Sequence, residues 1–253
     1  PSSSPSRHPS VVFASKVLGS LLGFVATVVF ARIVGAEVLG YYALVLVVAK
    51  WLMQGGQIGV FFALIKRISE GTDASEFFTA GLIAVAALGS FFALLLFTFR
   101  GAVNSYVGVA VTPYIVLLLI VGLFSGIVTV ALQGQRQVHL TGLLSPIQIG
   151  SRSIVQIVLV VAGFGLSGML VGYAVGGVVV GLLGVTFLTV GLKRPRMEHF
   201  KSLFDFAKYS WLGNLRGRSF NDMDVIVLGA LVPPTLVGVY SVAWSLTSFI
   251  GTF

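Results

Sequence analysis

Long apolar runs recur along this chain, separated by short stretches of glycine, proline and charge. A helix rises about 1.5 Å per residue, so about 20 apolar residues cross a hydrocarbon core about 30 Å thick. Windows of that length predict spans at roughly Val11–Val34, Tyr41–Ile65, Phe77–Phe99, Pro113–Leu132, Leu143–Ala162, Met169–Val190, Phe206–Val232 and Val239–Phe253. Connections such as Gly35–Gly40 and Gly163–Gly168 are a few residues long, so neighbouring helices must run antiparallel. Pro113 and Pro146 are expected in the first turns of their helices, where a missing N–H costs little. The expected fold class is an all-α integral membrane protein. It would be a bundle of about eight transmembrane helices, with one complete six-helix lobe plus the start of a second.

Charge placement gives an orientation. Arg7, Lys66, Arg67, Arg136, Lys193, Arg194, Arg196, Lys201 and Lys208 fall on one side of the predicted spans, against Arg32 and Arg100 on the other. Basic loops stay cytoplasmic, so the N-terminus is expected in the cytoplasm. The expected organisation is a disordered Ser/Pro-rich tail (1–10), a transmembrane lobe (11–190), a cytoplasmic linker (191–205) and the start of a second lobe (206–253). With no initiator Met and a last span cut short, the sequence reads as part of a longer protein.

Composition narrows the chemistry. The chain is 57% apolar and 9% charged, outside any soluble class. The formal charge of +8 sits mostly in loops on one side, so the positive-inside rule accounts for it without nucleic acid. With no cysteine, thiol catalysis and cysteine-based metal sites are excluded. His8, His139 and His199 fall in the tail or loops and share no helical face, which argues against a zinc or haem site.

An internal repeat is visible. Ala31-Arg-Ile-Val-Gly-Ala-Glu-Val-Leu-Gly-Tyr-Tyr-Ala recurs in outline as Ala230-Leu-Val-Pro-Pro-Thr-Leu-Val-Gly-Val-Tyr-Ser, with Gly40 set on Gly238 and Tyr42 on Tyr240. Each follows an apolar helix, turns, and opens the next helix with Gly-x-Tyr. The tyrosine is expected to anchor that helix at the headgroups. Both turns lie on the same side, so the repeat is parallel, about an axis along the membrane normal.

The first of these turns resembles that between the first two helices of lipid-linked oligosaccharide flippases. These belong to the multidrug/oligosaccharidyl-lipid/polysaccharide exporter superfamily. Gly55-Gly-Gln-Ile-Gly59 with Lys66-Arg67-Ile-Ser, and Asp224-Val-Ile-Val-Leu-Gly with Val237-Gly-Val-Tyr-Ser-Val-Ala, are similar to the same family. The resemblance implies two six-helix lobes moving a lipid-linked sugar across the cytoplasmic membrane of a prokaryote by alternating access. It implies membrane lipids and the lipid-linked oligosaccharide as partners, with other polysaccharide-assembly proteins beside them. The departure is length, since the second lobe is nearly absent.

Charged residues inside spans are the candidate site. Each costs at least about 2.5–3.5 kcal/mol in hydrocarbon and so normally faces a cavity or a partner. At helical spacing, Lys16 aligns with Ser20, Gly23 and Thr27; Lys50 with Gln54 and Gln57; and Arg152 with Gln148 and Gln156. Asn214, Gly217, Arg218, Asn221 and Asp222 form a polar face on the seventh span, and Ser241, Trp244, Ser245 and Ser248 one on the eighth. These stripes predict a water-filled cavity between the first, second, fifth, seventh and eighth spans. Its cations would favour an anion, and arginine offers paired donors for phosphate oxygens. Candidate substrate-binding residues are therefore Lys16, Lys50, Gln54, Gln57, Arg152, Gln156, Asn214 and Arg218.

Asp222 and Asp224 are candidate coupling-ion residues for Na⁺ or a proton; no other cofactor is expected. On a continuous helix these two point about 200° apart and cannot form one bidentate site. Lys16 can equally snorkel to headgroups, Arg218 can pair with Asp222 one turn away, and Asp224 can serve a basic partner elsewhere. Gly168, Gly172, Gly176, Gly177, Gly181 and Gly184 predict close helix packing on the sixth span. A cation-coupled exporter of small drugs or metabolites is the competing function. An enzyme is disfavoured, because the external loops are short and no catalytic constellation is visible.

Overall fold

A computed structural model describes residue 23 and residues 26–57, 59–218 and 222–250, without the side chains of 209–218 and 248–250. Every regular element in this part is helical. The helices are α1 (26–33), α2 (Gly35–Gln57), α3 (Val60–Glu70), α4 (Ala74–Thr98), α5 (Arg100–Val107), α6 (Thr112–Gly134), α7 (Val138–Val161), α8 (Gly165–Thr186), α9 (Met197–Arg218), α10 (Met223–Leu231) and α11 (Pro234–Ile250). Among them α2, α4, α6, α7 and α8 can cross a membrane by length and composition alone. The predicted first span lies largely outside the described residues.

α6 is the central post and touches α2, α3, α4, α7 and α8. Ile115, Leu118, Leu119, Ile127 and Leu132 on α6 are fully buried, with Leu44, Leu64 and Leu170 from its neighbours. Large apolar residues on the outer faces of α4 and α7, such as Phe91, Leu94, Ile154 and Val158, stay exposed. In a bilayer such faces meet lipid, so association rests on close packing rather than on exclusion of water. The α8 glycines supply that closeness. A Cβ on Gly172 or Gly176 would strike the α7 backbone at Gln156 or Gln148, and one on Gly184 would strike Val128 of α6.

Two predicted spans are broken. The second divides into α2 and α3 around Gly59, whose φ of 73° is left-handed and suits a residue without Cβ. The seventh divides into α9 and α10, and Asp222 just before α10 has a φ of 63°. Pro146 is not in a first turn: α7 begins at Val138, two turns earlier, where polar His139 and Thr141 extend the helix beyond its apolar run. α5, unexpected from the loop's length, sits at the end of the bundle holding the α1–α2 and α10–α11 turns (the turn end). Its Tyr106 hydroxyl donates to the Ile226 carbonyl of α10 at 2.8 Å, and Asn104 Oδ1 caps the start of α6.

At the opposite, linker end the chain leaves α8 and lies against α4. The Gly191 and Lys193 amides donate to Ser75 Oγ and Thr79 Oγ1, each at 3.1 Å. His199 is not in a loop. It is buried in the first turn of α9, its ring edge-on to Phe77 and its Nε2 3.5 Å from Asp73.

The two halves of the internal repeat touch reciprocally. A Cβ on Gly40 would overlap the Pro234 carbonyl, and a Cβ on Gly238 would overlap the Ala36 carbonyl. Ala36 precedes Gly40 as Pro234 precedes Gly238, so the contact is what a two-fold relation between the turns produces. Overpacking of this kind typically costs about 1–3 kcal/mol. Gly40→Leu is therefore expected to lower the thermal unfolding midpoint by several degrees. Gly150→Ala, where a Cβ meets nothing within 4 Å, should leave it within a degree or raise it. Equal effects of the two substitutions would contradict this packing.

Candidate functional site

The reciprocal glycine contact brings α11 against α2 and leaves a cavity of about 620 Å³ beneath the turn end. Its wall is drawn from α1, α2, α7, α10, α11 and Asp222, the set of spans expected from the polar stripes. Lys50 lies about 22 Å down α2 from Gly35, and Arg152 about 14 Å from the Val161 end of α7, so both charges sit well inside the bundle.

Lys50 Nζ donates to Asp222 Oδ2 at 2.8 Å, across more than half the chain length. Lys50 has no acidic neighbour on its own helix, yet it is answered from another. The break before α10 makes this possible: the left-handed turn at Asp222 swings its carboxylate toward α2. It also brings Asp222 and Asp224 into one wall, which a continuous helix could not do. Asp222 thus pairs with Lys50; the side chain of Arg218, the alternative one-turn partner, lies outside the described residues. Asp224 Oδ2 accepts a hydrogen bond from the Tyr240 hydroxyl, and the Tyr240 ring stacks near Trp244 at 6.4 Å between centroids.

Arg152 has no carboxylate partner among the described residues. Its guanidinium lies 5.0 Å from the centre of the Tyr173 ring of α8, and its Nε is buried without a hydrogen bond, as is Ser153 Oγ beside it. The α8 glycine at 176 holds α8 against the Arg152 Cβ. Gln156, one turn on, is 2% exposed and donates from its amide to the Tyr42 hydroxyl at 2.8 Å and the Met169 carbonyl at 2.7 Å. Tyr42 is therefore a cavity residue, not the headgroup anchor its place at a helix start suggests. Of the first stripe, Gly23 and Thr27 line the cavity.

Not every expected residue joins. Gln54 is exposed and forms no part of this wall. Gln57 lines a second cavity nearer the linker end, together with Gln148. Lys16 lies outside the described residues; so do the side chains of Asn214 and Arg218, whose backbone belongs to α9. In the described wall Lys50 and Arg152 face Asp222 and Asp224, so its formal charge is balanced. No group of three metal-ligating side chains occurs among the described residues. Sequence reasoning missed Tyr173 and the cavity role of Tyr42 and Tyr240; the matched Gly-x-Tyr pairs were the available signal.

These features define a multi-pass helical membrane protein with an ionisable interior cavity. The solved structure "Lipid II flippase MurJ, inward closed conformation" shares the fold, with a TM-score of 0.76 over 94% of this chain and 54% of that one, at 13% identity. The polysaccharide biosynthesis protein family matches residues 7–253, and the chain belongs to it. Two curated relatives from Haloferax volcanii are "Probable flippase AglR", 27% identical over 244 residues, and "Probable low-salt glycan biosynthesis flippase Agl15", 26% identical over 242. Each match covers 96% of this chain and 51% of the relative, so the chain spans about half their length.

Lys50 and Asp222 are partly exposed, at 42% and 34%, so their pairing is worth about 1 kcal/mol or less rather than the full value of a buried pair. A double-mutant cycle with Lys50→Ala and Asp222→Ala, read by thermal unfolding, should return a coupling of that size. Strictly additive losses would show that the two side chains do not interact.

Proposed function

We propose that the full-length protein, of which this chain corresponds to about half the length of its relatives, is a flippase. It carries a polyprenyl- or dolichyl-diphosphate-linked oligosaccharide across the cytoplasmic membrane of a prokaryote by alternating access. The observation that carries this reading is the presence of Lys50 and Arg152 in the wall of one interior cavity, within a fold and family shared with flippases. The lipid-linked oligosaccharide and membrane lipids are its partners, alongside other polysaccharide-assembly proteins. The protein is a transporter rather than an enzyme, and it has no use for nucleic acid. Its N-terminus is cytoplasmic. Helices up to residue 190 form one lobe, the linker follows, and residues 206–253 begin the second.

The cations act on the diphosphate. Arg152, which meets no carboxylate among the described residues, offers a guanidinium fork suited to phosphate oxygens. Lys50 is held by a single carboxylate, and a diphosphate brings more negative charge to it than Asp222 does. Binding therefore transfers Lys50 from Asp222 to the phosphate and loosens a tie between α2 and α10, which belong to the two proposed lobes. Lys16, Asn214 and Arg218 are further candidate substrate-binding residues, as are Gln54, Gln57 and Gln156, and of these Gln156 lines the charged cavity among the described side chains. Asp222, once released, and Asp224 are the carboxylates that a proton or Na⁺ would use in coupling.

A second reading draws support from the charge balance of the described wall: a cation-coupled exporter of small drugs or metabolites would use Asp222 and Asp224 instead. Lys50→Glu combined with Arg152→Glu separates the two. In reconstituted vesicles the double variant should insert normally and lose translocation of the diphosphate-linked glycan by at least about a hundredfold, the scale of two charge-assisted contacts. Unchanged flipping would refute the assignment, and a gain in organic-cation export would favour the alternative.

A further inference from the structure

Linker-ward of the charged cavity lies a second one of about 310 Å³, between α2, α3, α6, α7 and α8. Its wall carries the carboxamides of Gln57, Gln133 and Gln148, the hydroxyls of Ser125 and Thr129, and the ring of Phe61. No ionisable side chain lines it among the described residues. Ser125 and Thr129 donate within their own helix, leaving hydroxyl lone pairs as acceptors. None of the three carboxamides has a hydrogen-bond partner among the described residues. Three amides without a bond to a described residue leave donors and acceptors available to a polar ligand in this half-buried cavity.

The chemistry and the placement point the same way. A carboxamide donates and accepts in one plane, as paired sugar hydroxyls require, while an aromatic ring covers the apolar face of a pyranose. Nothing in this wall attracts phosphate. Gln148 stands one turn from Arg152 on α7, about 6 Å along the axis, and Gln57 two turns from Lys50 on α2, about 10 Å. A sugar joined to a diphosphate held by Lys50 and Arg152 is displaced from it by a comparable distance. The volume is at the small end of ligand cavities, about 300–1,000 Å³, and fits a unit of one or two sugars rather than a whole glycan.

We propose that this second cavity is a neutral-carbohydrate subsite that takes the sugar next to the diphosphate, with Gln133 and Gln148 as its specificity-determining residues. The proposal rests on the flippase reading for its ligand, so the test separates the two. The full-length protein in nanodiscs is titrated with polyprenyl diphosphate bearing one neutral N-acetylhexosamine and with the same lipid diphosphate lacking sugar.

Gln148→Leu and Gln133→Leu should each weaken binding of the sugar-bearing lipid about fivefold, the scale of one net hydrogen bond, and leave the bare lipid diphosphate unchanged. Thr129→Val, which keeps the shape and removes one hydroxyl, should act in the same direction. Equal weakening of both ligands, or of neither, would overturn the subsite. Failure of Lys50→Gln to weaken the bare lipid diphosphate would instead overturn the diphosphate reading, and a parental protein that binds neither lipid would overturn both.

Discussion

Two backbones can approach to contact only where side chains are absent. Here Gly40 and Gly238 each abut a carbonyl of the opposite turn, from Pro234 and Ala36, and so fix the separation of α2 and α11 at the turn end. The charged cavity lies beside this junction, with Tyr42 and Lys50 of α2 and Tyr240 and Trp244 of α11 in its wall. A Cβ at either glycine would push the walls apart and move Tyr42 and Tyr240, each two residues beyond its glycine, out of the cavity lining. The α8 glycines do the same for the far wall by letting α8 press on α7 beneath Arg152 and Gln156.

Given that frame, the interior polar groups fall into two kinds. Some are already answered: Gln156 by Tyr42 and Met169, Asp224 by Tyr240, Lys50 by Asp222. Others in the charged cavity, Arg152 Nε and Ser153 Oγ among them, have no hydrogen-bond partner among the described residues. The first kind shapes the cavity, and the second leaves it receptive. Lys50 belongs to both, because its partner is a single carboxylate from the far side of a broken helix, held in a partly exposed pair that is weak enough to exchange.

The helical bundle was legible because apolar runs of span length have few alternative structures in a chain this poor in charge. The cavity-lining helices were legible from stripes such as Lys50–Gln57 and Arg152–Gln156, since one polar face per helix must point inward. The breaks at Gly59 and Asp222 were not. An apolar run looks the same whether its helix is continuous or interrupted, and a left-handed aspartate leaves no periodic trace. That one break explains how Asp222 reaches Lys50 on another helix, a pairing that spacing along the chain does not reveal. It also explains why Asp222 and Asp224 share a wall although helical geometry set them apart. Gln57 and Gln148 shared stripes with the cations, yet packing of α6 and α8 assigns them to a separate chamber.

The central claim is that Lys50 exchanges a carboxylate for a phosphate. A structure of the full-length protein with polyprenyl diphosphate bound tests it directly. The account predicts Lys50 Nζ at about 2.7–2.9 Å from a phosphate oxygen with Asp222 released. Lys50 still joined to Asp222, with the diphosphate seated elsewhere, would contradict it.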